Sequence, residues 1–554
     1  MVIVCLNLEL EMFEIDTSIG ATYDADSKEW LGPKFYDFYD RNASVGRILF
    51  EQMRRCPHSI CQISDIEQTS LTYEEALLQA IRVAENFRKL NLTQRDIVGV
   101  VARNTTHFMA VALACFFNGS ALHAVNPNLE EKSVKGLFET TMPKYIFFDG
   151  QDYAKVVRAT NELDTTLYTL SNHLPQVPSV NDLLQSTGTE HKFTPAILED
   201  GTNQTLAILC SSGTTGVPKA VTISNHKRFF DMLHFLNSED VLFVLSTMDW
   251  LTGLMMLIAS IGFGAKRVIT ERTFDAEYFL KLIPKYKITF TVIAPPLLAV
   301  LLNNPSITVE KLASLRYLMY GGGNCSMHIQ QGLQKYLRNA RMIFAYGLTE
   351  FEGLITMNCK LLEKPQAVGR LQPGYKGIIL NESGKRLSPG EVGEICCHHS
   401  RQWLGYYNNN NATVAIYKAD GWFHTGDLGF FDTDGYLHVI DRKKNILKYL
   451  GMQYYTKEIE EVIVQMPNVT EVCVFGISID EIGDAAAAAV VKIPGSSLSV
   501  PDVIKYVKEH VNATYKHLHG GVIIVEELPK LGNSKLNRKT IKEMFLSSQR
   551  RQGL

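Results

Sequence analysis

Nine residues after Cys210, Ser-Ser-Gly-Thr-Thr-Gly-Val-Pro-Lys (211–219), hold four hydroxyls, two glycines and one lysine. Glycine lets the backbone come close to an anion, hydroxyl and amide groups supply donors, and lysine adds a movable point charge. This composition, following the apolar run Thr205–Cys210, predicts a phosphate grip. It is not a Walker loop, because Lys219 follows Pro218 and precedes Ala220 where that motif needs Gly and Ser or Thr. A surface turn rich in Ser and Thr has the same make-up, so the loop needs companions before it counts as a site.

Companions occur further along. Tyr346-Gly-Leu-Thr-Glu350 ends a strand-like run with a hydroxyl and a carboxylate. Asp427 sits in His-Thr-Gly-Asp-Leu-Gly, and the charged run Asp441-Arg-Lys-Lys444 follows. Lys448 and Gly451 lie in Ile-Leu-Lys-Tyr-Leu-Gly-Met-Gln, and Lys535 lies in Gly-Asn-Ser-Lys-Leu-Asn-Arg-Lys. Singly, each has a plain reading: a capping threonine, a turn aspartate, a solvated charge run, an idle lysine. Cys396-Cys397-His398-His399 places four metal-ligating residues in a row. Neighbours on a strand face opposite sides, so the four cannot close one tetrahedron.

Taken in order, these segments resemble the adenylate-forming superfamily of acyl-CoA synthetases, 4-coumarate–CoA ligases and beetle luciferases. The likeness is carried by SSGTTGVPK (211–219), GGGNCS (321–326), YGLTE (346–350), GYYNNNNAT (405–413), the stretch GWFHTGDLGFFDTDGYLHVIDRKKNILKYLGMQ (421–453) and LPKLGNSKLNRK (528–539). It implies two half-reactions: a carboxylate attacks the α-phosphorus of ATP, releasing pyrophosphate, and a thiol, usually coenzyme A, then displaces AMP.

The resemblance also implies roles. Ser211, Ser212, Gly213, Thr214, Thr215 and Lys219 would hold the β- and γ-phosphates, with Glu350 as the Mg²⁺ ligand. Thr349 would touch the α-phosphate, Tyr346 would lie near the adenine, and Asp427 would bind both ribose hydroxyls. Arg442 would reach the ribose or phosphate, and Gly321, Gly322 and Gly323 would line the adenine and acyl pocket with Trp250 and Ala345. Lys535 would bridge carboxylate and α-phosphate during adenylation. Lys448, on the opposite face of the same small domain, would act with Lys443 and Gly451 on the coenzyme A side, after that domain rotates.

Departures lie beside these positions. Ser246-Thr-Met-Asp-Trp-Leu-Thr-Gly253 stands where many relatives carry Phe-His, Phe344-Ala345 replaces Gln-Gly, and Ser534 replaces Gly. His398-His-Ser400 replaces Arg-Gly-Pro. Phe344, Trp250, Met248 and Met255 are apolar, which points to a medium- or long-chain fatty acid. An aryl, coumarate-type acid is the alternative within the class, and a nucleotide-binding paralogue without catalysis is the alternative outside it.

The elements that must position these residues are α/β. Amphipathic stretches alternate with apolar runs: LTYEEALLQAIRVAENFRKL then IVGVVA, THFMAVALACFFNG then KYIFFDG. The pattern recurs through 205–210, 241–246, 267–270, 290–295, 317–323 and 342–347, which predicts βαβ units and mostly parallel sheets. From about 366 to 441 short strands and Gly-rich turns predict a β-rich part, and α+β texture returns afterwards. The expected division is a large AMP-binding domain, 1–442, and a small mobile lid, 443–554, with Asn408–Asn411 in a polar loop.

Composition limits the rest. The 554 residues are 46% hydrophobic and 20% charged, ordinary globular values, and 55 Lys+Arg against 58 Asp+Glu leave no basic footprint for nucleic acid. Ten scattered cysteines without a C-x-x-C fit a reducing compartment. The first residues make a poor signal peptide, and the uncharged run Trp250–Ala265 is short of a membrane span. These features predict a soluble intracellular protein, cytoplasmic or peroxisomal, although Arg551-Gln-Gly-Leu554 lacks the basic penultimate residue of a peroxisomal address. Oligomeric state is left open.

Overall fold

The computed structural model describes residues 20–34, 43–211, 218–226, 228–323, 325–479, 482–530 and 535–551. It separates into two compact units: Met1–Gly377 with Cys397–Phe423 and Asp434–Leu437, and Ile378–Cys396 with His424–Thr433 and His438–Leu554.

The first unit contains two large sheets. One runs in the order Lys219–Ser224, Thr205–Ser211, Ala121–Val125, Ile97–Val101, Tyr145–Asp149, Thr166–Ser171, and only its first pair is antiparallel. The other has nine strands and a parallel centre: Arg341–Leu348, Tyr317–Gly321, Phe290–Ile293, Val241–Val244, Lys266–Ile269 and Ile60–Ser64. Antiparallel pairs close both of its edges. Strands buried on both faces read as unbroken apolar runs, which is why IVGVV and YIFFD are fully buried here. The α/β class expected from the alternation is thus found.

Local chemistry sets the helix ends. Thr72 and Glu75 form a reciprocal capping box at the start of Tyr73–Lys89. Pro295 and Pro296 open the helix Pro295–Leu302, where a missing N–H costs nothing. The run at 250–265 forms the helix Leu251–Gly262, buried on all sides from Gly253 onward. No helix among the described residues is long and apolar enough to cross a membrane.

Two elements differ from the sequence reading. The asparagine run is not a plain loop: Asn410–Ile416 is helical, and the Asn409 side chain caps it by accepting from Ala412 N at 3.1 Å. Ala121–Val125 is a central strand despite a histidine in its middle. His123 is wholly buried there, with Nδ1 2.8 Å from the Thr141 hydroxyl, and burial pushes its pKa down to about 3.

The β-rich stretch expected from about 366 appears as Tyr375–Leu380, Gly393–His399, Phe423–Phe431 and Leu437–Arg442, hydrogen-bonded in that order. Beyond it, the second unit has a sheet of Met452–Tyr455, Ile446–Tyr449, Gly483–Lys492 and Val469–Ile479, with Gly521–Val525 parallel to Gly483–Lys492. Five consecutive alanines, Ala485–Ala489, are completely buried in the central strand. Their alternation splits the core: Ala486 and Ala488 pack with Ile459, Ile463, Val503 and Val507, while Ala487 and Ala489 pack with Ile541 and Phe545. Small side chains let helices lie close on both faces.

Candidate active site

The ends of the phosphate-type loop are held by strand pairing. Ser211 and Lys219 are direct partners across an antiparallel pair. Ser212, Gly213, Thr214 and Thr215 lie outside the described residues. Ser211 is buried, and the Lys219 ammonium sits 4.7 Å above the centre of the Tyr406 ring. Tyr406 belongs to a segment fastened along the strand Lys219–Ser224. Tyr407 N donates to Ala220 O at 2.8 Å, Thr222 Oγ1 donates to Gly405 O at 2.6 Å, and Trp403 Nε1 donates to Thr222 O at 3.1 Å.

The same tyrosine reaches the acidic residue. Tyr406 OH donates to Glu350 Oε1 at 3.0 Å; burial and the Glu350 charge both hold its phenol far above the ordinary range. Glu350 and Thr349 lie on a short 3₁₀ turn, Thr349–Phe351, at the tip of the hairpin joining Arg341–Leu348 to Gly353–Asn358. The next residue, Glu352, is buried with φ of 55°. It accepts from the Ser224 backbone at 3.0 Å and the Ser224 hydroxyl at 2.9 Å, which ties the turn to the strand starting at Lys219.

This corner suits a divalent cation with phosphate. Glu350 offers a half-buried carboxylate whose Oε2 takes no hydrogen bond among the described residues. No group of three or more His, Cys, Asp or Glu among those residues could hold a metal. Mg²⁺ commonly takes one or two carboxylates and fills its octahedron with phosphate oxygens and water, so one glutamate fits that pattern.

Tyr346, Ala345 and the glycines sit at the C-terminal ends of adjacent parallel strands, the usual place for ligands in open α/β sheets. Gly321 pairs with Ala345, and a Cβ on Gly321 would fall 2.4 Å from Ala345 O, so only glycine permits that approach. A Cβ on Gly322 would meet nothing within 4 Å, and one on Gly323 would meet Pro295 Cγ at 3.9 Å. The Phe344 ring stacks on Tyr320 with centres 4.7 Å apart and planes at 16°.

Trp250 begins the helix Leu251–Gly262 and is half-buried. The preceding Asp249 is buried among uncharged partners: it accepts from Asn126 Nδ2 at 3.0 Å and from the Thr247 hydroxyl. Burial raises its pKa. Asn104 Nδ2 also donates to Ser246 O at 3.2 Å, so two asparagines just past the C-terminal ends of Ile97–Val101 and Ala121–Val125 hold the Trp250 loop.

In the second unit, Arg442 Nε lies 2.6 Å from Asp427 Oδ1, and Asp427 is buried. The Asp427 backbone N–H donates to Thr425 Oγ1, which itself donates to Ile395 O. Lys443 turns to Glu394 at 3.0 Å, with His424 3.4 Å from the same oxygen. Burial works to raise the Glu394 carboxyl, but these two neighbours hold it below its ordinary value. Lys443 is therefore engaged with Glu394, while Gly451 belongs to a separate hairpin. Lys444 faces the other way chemically: burial first, then Arg442, Arg538 and Lys535, push it down to about 8.

Lys535 and Lys448 stand on different segments of the second unit. Lys535 is exposed next to Leu536, which bridges to Lys530. Arg538, three residues on, anchors it: its guanidinium lies 2.7 Å from Glu460 Oε1 and donates to Val474 O. Lys448 is exposed on Ile446–Tyr449, opposite Gln453, and the turn beyond it has Leu450 at φ 50° and Gly451 at φ 78°. Two positive φ values in a two-residue loop make a turn matched to strand twist. Sequence reasoning passed over Tyr406, Glu352 and Arg538, and took Lys444 only as part of a charged run. Tyr406 and Arg538 lie within quoted motifs, so their signal was present; Glu352 looked like any acid after Glu350.

Comparisons with known proteins identify the family. Residues 49–407 match the AMP-binding enzyme family, and residues 458–535 match the AMP-binding enzyme C-terminal domain. Luciferin 4-monooxygenase of Photinus pyralis is 27% identical over 550 residues, covering 93% of this chain and 96% of its own. A probable 4-coumarate–CoA ligase 3 of Dictyostelium discoideum is 29% identical over 490 residues, covering 83% and 88%. Among solved structures, ATP-bound MatB from Rhodopseudomonas palustris superposes with a TM-score of 0.81 at 23% identity, over 91% of this chain and 99% of that one. The anthranilate CoA ligase AuaEII with anthranoyl-AMP gives 0.83 at 20% identity, over 92% and 99%. With the family matched across most of its length, this chain belongs to the AMP-binding enzymes, within the adenylate-forming superfamily.

Proposed function

We propose that this chain is an acid–CoA ligase that activates a carboxylic acid with ATP and passes the acyl group to coenzyme A. The observation carrying this reading is the junction of Lys219, Tyr406 and Glu350, an ammonium and a carboxylate linked through one ring beside the phosphate-type loop.

In the first half-reaction a carboxylate oxygen attacks the α-phosphorus, a P–O bond forms, and pyrophosphate leaves with its electron pair. Both reactants are anions, so the gain comes from positioned donors and cations. Lys219, Ser211 and the loop residues 212–215 would receive the β- and γ-phosphates. Asp427 would take the ribose hydroxyls, Arg442 the ribose or phosphate, and Lys535 the meeting point of carboxylate and α-phosphate. Mg²⁺ held by Glu350 would neutralise phosphate charge. In the second half-reaction the sulfur of coenzyme A attacks the acyl carbonyl carbon and AMP departs. Lys448 and Gly451, with Lys443 if it leaves Glu394, would serve that step, and we carry the division at 442/443 forward as the boundary of the lid.

The acid we propose is a medium- or long-chain fatty acid. Supporting it, Met248, Met255 and Phe344 are buried apolar side chains around the Trp250 and Ala345 segments. A second reading, an aromatic acid, is favoured by the flat Tyr320–Phe344 stack beside Gly321. Pyrophosphate release with Mg-ATP, measured over acids of rising chain length and hydroxycinnamates with and without coenzyme A, tests both. Release that needs an acid, with acyl-CoA formed only when coenzyme A is added, is the expected result. ATP binding without release for any acid would instead identify a nucleotide-binding paralogue.

A further inference from the structure

At the N-terminal ends of the parallel strands of the nine-stranded sheet, away from Gly321 and Tyr346, the first residues of two neighbours open onto a cavity of about 480 Å³. Its lining brings four cations, Arg316, Arg338, Arg341 and Lys360, against one acid, Glu363. Arg316 immediately precedes Tyr317–Gly321 and Arg341 starts the adjacent strand, where Arg341 N donates to Arg316 O at 2.8 Å; Arg338 lies in the turn leading to Arg341. Lys360 follows the end of Gly353–Asn358.

The arrangement is built rather than incidental. Arg316 is fixed from behind, 2.7 Å from the fully buried carboxylate of Asp240, with its guanidinium 5.3 Å from the centre of the Tyr317 ring. Asp240 is itself held by the Thr289 hydroxyl at 2.6 Å. Met342 and Leu361 supply an apolar floor. Guanidinium groups present rigid forks that match phosphate oxygens, and pockets of about 300–1,000 Å³ hold small organic ligands. Arg341 and Tyr346 lie five residues apart on one strand, about 17 Å at the usual rise, so this cavity is no extension of the candidate active site.

We propose that this cavity is a second ligand site, which takes a phosphorylated small molecule up to the size of a mononucleotide. It goes beyond the ligase reading and does not depend on it.

The test is to count AMP bound per full-length chain by calorimetry in three proteins: the parent, the pair Arg338→Gln with Lys360→Gln, and Asp427→Asn. The expected counts are two, one and one, with the double substitution leaving acid-dependent pyrophosphate release unchanged. Pyrophosphate as probe tells whether phosphate alone suffices; either probe lost on the double substitution supports the site. Parent and double variant with identical titrations for both probes would overturn it. Counts of one, none and one would keep this site and remove nucleotide from the candidate active site, so the two readings fail separately. Arg338→Glu, a single exposed change with the opposite charge, repeats the test should the double variant fold poorly.

Discussion

The Tyr406 hydroxyl donates to Glu350 across 3.0 Å, and its ring face carries the Lys219 ammonium at 4.7 Å. One side chain therefore sets two charges of opposite sign. Tyr406→Phe keeps the ring and removes the donor, which is worth about 1 kcal/mol, or about fivefold, in pyrophosphate release. Tyr406→Ala also frees Lys219 and lowers release by a further factor of about ten. The comparison is made across Mg²⁺ concentrations, and equal rates for parent and both variants would mean that the junction plays no part.

Lys535 and Lys448 stand on separate segments of one unit, one beside the Lys530–Leu536 bridge and the other on Ile446–Tyr449. Lys535→Ala is expected to abolish acyl-AMP formation and to spare transfer from supplied acyl-AMP to coenzyme A; Lys448→Ala should do the reverse. Each half-reaction is followed alone by chromatography of acyl-AMP and acyl-CoA. Loss of the same half-reaction in both variants would refute the assignment.

Arg538 holds the Lys535 segment against Glu460 and the Val474 carbonyl. Arg538→Gln breaks a charge-assisted pair and should cost about 2 kcal/mol of stability. It should also slow adenylation more than transfer, a split that simple destabilisation would not produce. Arg538→Lys restores one contact, so its rates should fall between. Urea unfolding with separate half-reaction assays gives both readings.

Lys444 has its ammonium disfavoured by burial and by Arg442, Arg538 and Lys535, at about 8 against an ordinary 10.5. Its folded-state value lies below the unfolded one, so the unfolded chain binds more protons between these values. Stability therefore rises with pH through that window, and Lys444→Gln should flatten the rise. The neutral amine also makes Lys444 one of the first lysines acylated by an amine-reactive ester near pH 8, and AMP should slow that labelling. Mass spectrometry of peptides reads the order; labelling no faster than at surface lysines would count against the cluster.

Asp249 accepts from Asn126 and Thr247 with no cation beside it. Asp249→Ala leaves one buried donor, Asn126, and one half-buried donor, Thr247, unmatched, at about 1–3 kcal/mol. It should also loosen the Trp250 loop, so that KM for the acid rises more than KM for ATP. An unfolding midpoint equal to the parent's would show that water or a shift of the loop replaces the lost acceptor.

The parallel sheets were legible because runs such as IVGVV and YIFFD are short, apolar and flanked by breakers, as strands buried on both faces must be. Ala121–Val125 was not, since alanines and His123 dilute its apolar signal, and only the Thr141 hydroxyl explains how a histidine is tolerated there. Asn410–Ile416 was hidden because asparagine serves both loop and helix cap. Within the site, residues adjacent in the chain could be read as motifs. Contacts between distant positions could not: Tyr406 meets Glu350 over 56 residues and Arg538 meets Glu460 over 78, and neither distance is encoded in local pattern.

The pairing of Ser211 with Lys219 has a consequence for how the loop can vary. Side chains alternate faces along a strand, so the phase of the pairing decides which way Lys219 looks. Lys219 keeps its facing as long as it stays on the rung of Ser211. One residue inserted between Lys219 and Ala220 would invert the neighbouring rungs instead and part the strand from the Gly405–Tyr407 segment. The irregular step lies at the far end, between Ile223 and Ser224, where it can absorb a mismatch without disturbing the lysine. A graft at this position is therefore bound in parity.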